Sequence, residues 1–206
     1  MNAIRGAAVF CHFLEGRMDV LDVLKARRTI FKFNSRPVSG EMLKRIFEFG
    51  LWAPNHHVTE PWRFVVLGER TKESLGRRYA DIQEAKASGH ADGESRRKLW
   101  QAGYDKFMSK PSIVAVSCVQ EGDEQQRRED YAAVCCAMQN VQLAAWELGV
   151  GMQWSTGPIT MQKETYELLG VDQDREYIIG FFYTGYPREI PKPRRKPLED
   201  VMRWTA

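Results

Sequence analysis

The chain lacks any apolar run approaching the roughly 18 residues that a membrane-crossing helix needs, so a helical membrane protein is not expected. Cysteine is scarce: Cys11, Cys118, Cys135 and Cys136 are all there is, and none forms a CxxC pair. That is too few for a secreted disulfide scaffold, and it predicts reduced core thiols in a cytoplasmic protein. The adjacent Cys135 and Cys136 would project from different faces of a helix. Histidine is as sparse, with only His12, His56, His57 and His90, and neighbouring histidines on a loop rarely reach one ion together, so no metal is expected. Nor does one sign of charge dominate: 30 Lys and Arg against 27 Asp and Glu leave a net +3, which is no nucleic-acid footprint. No repeat and no linker interrupts the chain.

What is present suffices for one packed domain: 206 residues, 43% of them hydrophobic. Residues 1–17, MNAIRGAAVFCHFLEGR, stand apart. Their apolar piece Ala7–Leu14 is short for a signal segment, contains His12 and precedes no small-x-small cleavage site. They read as a loose tail, or as a start placed too far upstream of Met18, with a targeting peptide as the lesser alternative. The expected domain is 18–206.

Within it, 19-DVLDVLKARR-28 sets Val20, Leu21, Val23 and Leu24 at helical spacing behind a candidate N-cap, Asp19. A second helix opens at Ser39, turns Met42, Leu43, Ile46, Phe47 and Leu51 inward, and closes at Pro54. Arg63–Gly68, the fully apolar 112-SIVAVSCV-119 and 177-YIIGFFYTG-185 read as strands. Thr71 to about Met108 is charged and helix-favouring, with a break around Gly89–Gly93. The polar run 120-QEGDEQQRRED-130 leads to the most apolar helix, 131-YAAVCCAMQNVQLAAWELG-149, expected to be buried nearly all round and to end at Gly149 and Gly151. A further helix is expected from about Thr160 to Leu169. Alternating helices and apolar strands argue for an α/β or α+β layer fold.

Four short stretches carry candidate chemistry. In 27-RRT-29, two guanidinium forks and a hydroxyl could clamp a phosphate, or could be surface charge at a helix end. In 154-WSTGP-158, small residues and hydroxyls could let a flat heteroaromatic ligand approach the backbone, or could simply end a strand. In 191-PKPRRKPLEDV-201, Arg194, Arg195 and Lys196 could join a phosphate site or form a solvated tail. Finally, 53-APNHHVTEPW-62 brackets a histidine pair between prolines that stiffen the loop.

Together and in this order, RRT, A-P-x-H-x-x-x-x-P-W, GxGxQWSTGP and the terminal G-Y-P…P-R-R-K-P-L-E-D-V resemble the nitroreductase family of flavoproteins, most closely its small single-domain members. The resemblance covers about Met18 to Trp204. It implies an α+β fold with a mixed sheet flanked by helices, an intertwined homodimer, and FMN held non-covalently at the interface. It also implies an oxidoreductase that passes a hydride from NAD(P)H through flavin N5 to a small organic acceptor, such as a nitroaromatic or quinone, with ping-pong kinetics. The flavin would carry that chemistry, so no protein nucleophile is expected.

Carried over by position, Arg27, Arg28 and Thr29 match the motif on the FMN phosphate and ribityl chain. His56 matches the histidine offered to the flavin across the interface, and Trp52 lies at a neighbouring cofactor-facing position. Trp154, Ser155 and Thr156 match the segment beside the isoalloxazine ring. Arg195, with Arg194 and Lys196 as alternatives, matches the basic residue returning to the phosphate. His57 is expected to be a bystander and Trp62 to be core. Two departures stand out. Phe31 occupies a position where many members have Arg or Lys, so the phosphate is expected to lean on Lys32 or the C-terminal arginines. Val58 and Glu60 stand where larger relatives have Asn and Gln, and Glu60 is expected to point away from the ring. Residues from about Gly76 to Met108 are expected to form a substrate lid. The alternatives are an FMN carrier or sensor without turnover, a specialised member (dehalogenase, enone reductase or flavin-cleaving enzyme), and a basic-tailed interaction module with no cofactor.

Overall fold

The computed structural model describes residues 19–87 and 92–205. The expectations placed on residues 1–17, on Cys11, His12 and Met18, and on Gly89 and His90 lie outside them. The described helices are α1 (Val20–Ala26), α2 (Gly40–Glu48), α3 (Glu69–Glu84), α4 (Gly93–Met108), α5 (Glu124–Glu147) and α6 (Lys163–Leu169). The strands are β1 (Trp62–Val66), β2 (Ser112–Val119), β3 (Gly151–Ser155) and β4 (Glu176–Gly185). Side chains in the first turn mark several helix starts. Asp19 accepts from Leu21 N–H at 2.7 Å, and Ser39 from Met42 N–H at 3.2 Å. Asp92 accepts from Ser95 N–H at 2.7 Å, and Asp123 from Gln126 N–H at 2.9 Å.

The strands form one four-stranded sheet in the order β1-β2-β4-β3, and each pairing is antiparallel. The parallel component of the expected mixed sheet is the isolated bridge between Thr29 and Met152. β2 lies inside the sheet and is covered on both faces, which is why it reads as an unbroken apolar run. Its alternation sorts the core: Val114, Val116 and Cys118 pack under α2 and α5, while Ile113 and Ala115 pack under α3, α4 and α6. Opposite Val116 and Ser117, β4 carries one extra residue, Ile179, between Gly180 and Ile178. That bulge reverses the parity, so Ile178 shares a face with Phe181 and Tyr183 while Ile179 shares the other with Phe182. Burying each large side chain contributes about 1.5–3 kcal/mol relative to exposure.

Some sequence expectations are corrected. α5 begins at Glu124 rather than near Tyr131, because Asp123 caps it and the polar run forms its exposed first turns. Nor is α5 buried all round: Ala132 and Cys136 are exposed, and Cys135, Gln139, Asn140, Leu143 and Ala144 are half-buried. Cys136 is therefore not a core thiol, whereas Cys118 is; the three described cysteines are free. In α1 only Val23 is buried, leaving Val20, Leu21 and Leu24 exposed. Leu51 sits in a 3-10 turn, Phe49–Trp52, and is exposed as well. Trp62 is core, as expected.

Candidate functional site

The RRT motif follows directly on α1. Arg27 caps the helix, its N–H bonding Val23 C=O, and the chain then runs extended along β3. Ile30 N–H donates to Met152 C=O at 3.0 Å, and Ile30 is fully buried. This close approach depends on Gly151: a Cβ there would stand 2.5 Å from Ile30 Cγ1. The glycine in GxGxQWSTGP is thus what allows the arginine motif to lie against the strand that carries Trp154.

Arg27, Thr29, Trp154 and Thr156 meet in a cavity of about 470 Å³, whose remaining wall is Cys135, Gln139 and Gln142 of α5. Arg27 Nη1 donates to Gln142 Oε1 at 3.5 Å, and Gln142 Nε2 donates back to Met138 C=O at 3.3 Å. The indole of Trp154 rests on Gly180, where a Cβ would come within 2.6 Å of Nε1, and that buried Nε1 has no hydrogen-bond partner. The charge at this site is one-sided. Burial, then the charges of Arg195 and Arg28, hold the Arg27 guanidinium below its ordinary pKa. Burial, then Arg195, does the same to Arg28. Among the described residues no carboxylate pairs with any of the three. Of the cationic alternatives it is Arg195 whose charge reaches the RRT motif. Lys32 pairs with Glu189 at 2.8 Å, both side chains being exposed. Ser155 is not in the cavity wall; it neighbours the buried Tyr183 phenol, whose pKa burial pushes up to about 12.

The proline-bracketed loop lies elsewhere, on the first turns of α5. His56–Val58 forms a 3-10 turn in which His56 Nδ1 stands 2.6 Å from Glu129 Oε2, with the His57 ring stacked on it at 3.8 Å. The Glu129 carboxyl is held below the usual carboxylate range by the hydrogen bond to His56 and then by Gln125. His57, Val58 and Glu60 have φ of 58°, 54° and 44°, interrupted by Thr59 at φ -71°, and such positive values are ones that non-glycine residues seldom adopt. The loop is pinned by Thr59 Oγ1 donating to the buried Asp130 at 2.6 Å and by Glu60 N–H donating to Asn55 Oδ1 at 3.1 Å. The Glu60 side chain is exposed. Trp52 is 80% exposed and lines no part of the cavity.

The predicted residues therefore form two groups on one helix. Glu129 and Gln142 are thirteen positions apart on α5, roughly 20 Å at the helical rise, so His56 and Arg27 do not converge within one chain. Sequence reading missed Gln139, Gln142, Cys135 and Glu129. The available signal was the amides of 138-MQNVQ-142 inside an otherwise apolar helix.

Residues 24–186 match the model of the nitroreductase family. The Bacillus subtilis (strain 168) protein named "Putative NAD(P)H nitroreductase YfhC" is 33% identical over 185 residues, spanning 87% of this chain and 90% of its own. The crystal structure of a nitroreductase-like family protein from Bacillus cereus superposes with a TM-score of 0.77 at 29% identity, over 93% of this chain and 98% of that one. A variant of the FMN and NADPH-dependent nitroreductase NfnB from Sphigopyxis sp. strain HMH shares the fold at 19% identity, with a TM-score of 0.68 over 92% of this chain and 100% of its own. The matched span takes in the arginine motif, the proline-bracketed loop and WSTGP, which build the cavity and the loop described above; the chain belongs to the nitroreductase family.

Proposed function

We propose that the protein is an FMN-dependent oxidoreductase that works as a homodimer, drawing on NAD(P)H to reduce a small organic acceptor. The observation that carries this reading is the cluster of Arg27, Arg28 and Arg195 beside a cavity walled by Trp154, with no carboxylate among the described residues paired to it. Uncompensated like charges are costly, and a phosphate dianion held by guanidinium forks offsets that cost. The fit extends to the rest of the wall, where Thr29, Thr156, Gln139 and Gln142 supply the few polar side chains an aromatic cofactor needs. Bound there, FMN would supply hydride acceptance from NAD(P)H and donation to the acceptor.

The chain's own residues bind and orient. Arg27, Arg28 and Arg195 fix the phosphate end, with Gln142 setting the direction of the Arg27 fork. Trp154 provides a flat wall and excludes water from it. His56 serves the partner subunit's cavity, which resolves its separation from Arg27 along α5. Association is favoured by apolar surface left open in one chain: Val20, Leu21, Leu24, Trp52, Leu198, Val201 and Trp204 are all exposed. The stretch Gly76–Met108, whose described residues lie mainly in the paired helices α3 and α4, is the region assigned to acceptor choice. No helix among the described residues is long and apolar enough to cross a membrane, and the free thiols fit a cytoplasmic setting.

The test is a visible spectrum of the purified protein, followed by anaerobic addition of NADPH and then NADH, with the mass in solution measured in parallel. Flavin bands that bleach, in a species of twice the chain mass, are expected. Bands that persist would point to a carrier, and a protein that stays colourless after soaking in FMN would overturn the reading.

A further inference from the structure

Two tethers join the proline-bracketed loop to α5, and they do different work. Thr59 donates to Asp130, which is 3% exposed, and with the Asn55–Glu60 contact this secures the strained backbone. The second tether, His56 to Glu129, joins side chains 60% and 32% exposed. An ion pair that open to water adds little to stability, and the backbone is already held without it. What it does fix is the imidazole. A carboxylate can only accept, so Nδ1 must carry the proton and Nε2 becomes the outward edge of the ring. The groups facing this ring are Glu129, itself held by Gln125 at 3.1 Å, and the stacked His57.

We propose that Glu129 is a positioning residue for cofactor binding: it holds His56 in one orientation and one tautomer, with Nε2 presented to the partner subunit's flavin. The inference rests on the role given to His56 above. Second groups that orient an imidazole in this way set both its direction and which nitrogen bears the proton.

The experiment uses the FMN-loaded dimer. With only four histidines in the chain, the ring nitrogens of His56 can be assigned by nitrogen-15 NMR, using His56→Ala to identify its signals. The wild type should show Nδ1–H, and Glu129→Ala should lose that preference. FMN affinity should fall about tenfold in Glu129→Ala, the scale of a charge-assisted contact. His56→Ala should lose as much, and the double variant no more than His56→Ala alone, because Glu129 acts through His56. Glu129→Gln, which keeps an acceptor oxygen, should recover part of the loss, and the thermal midpoints should not move. Independent, additive losses in the double variant would overturn the proposal. So would a silent Glu129→Ala beside a weakened His56→Ala, and that result would leave the role of His56 standing. A silent His56→Ala would remove that role and the positioning with it, even if the tautomer proved locked.

Discussion

A side chain at position 151 would collide with Ile30, since a Cβ built on Gly151 stands 2.5 Å from Ile30 Cγ1 and 2.9 Å from Pro187 Cγ. Ile30 is fully buried and anchors the extended segment that carries Arg27 to Thr29. Gly151→Ala should therefore destabilise the fold by about 1–3 kcal/mol, as overpacking does, and also weaken FMN retention by shifting the arginine motif. Urea unfolding and FMN titration measure the two effects; a change in neither would show that the segment has room to spare.

Arg27→Ala and Arg195→Ala should each weaken FMN binding by roughly ten- to a hundredfold, in line with the loss of a charged hydrogen bond. The fold should stay intact, since among the described residues neither guanidinium has an ion-pair partner to strand. Fluorescence titration of FMN reads this directly. If both variants keep wild-type affinity, the arginines are not a phosphate clamp.

His56→Ala should lower flavin affinity more than His57→Ala. The first removes the ring held by Glu129, and the second only the ring stacked on it. The opposite order would mean that the loop is registered one residue away.

Thr59→Val should cost about 1–3 kcal/mol of stability, because it leaves a carboxylate oxygen of the buried Asp130 without its donor. Chemical denaturation measures it. A neutral result would mean that water reaches Asp130 and that the loop backbone is held by other contacts.

Cys118 is fully buried, and burial followed by the charge of Asp130 pushes its thiol up to about 12. The native state thus keeps the proton where the unfolded chain, with an ordinary value of 9.0, begins to lose it. The stability this lends is complete below pH 9.0 and is lost as pH rises toward about 12. In native protein at mildly alkaline pH, iodoacetamide should leave Cys118 unmodified, and unfolding should expose it. Native-state labelling detected by peptide mass spectrometry would contradict this burial.

The fold was legible wherever one principle decided it. The caps at Asp19 and Ser39 stood in the sequence, and so did the unbroken apolar run of β2 and the hydrophobic spacing of α2. The departures share a cause. Val20, Leu21, Leu24 and Leu51 obey helical spacing but face outward in one chain, since periodicity marks an apolar face without naming what covers it. The arginine, tryptophan and histidine motifs were readable because each is a short local pattern. Gln142 and Glu129 were not, because their contacts span 115 and 73 positions of sequence and no local pattern encodes them.

The distance between His56 and Arg27 along α5 has a consequence for handling the protein. If each cavity is finished only by the neighbouring subunit's loop, flavin and subunit association are linked by mass action. Dilution would then strip cofactor and dissociate dimer together, and added FMN would hold the subunits in one piece. The apparent FMN dissociation constant would depend on protein concentration, so titrations at nanomolar and micromolar protein would not agree.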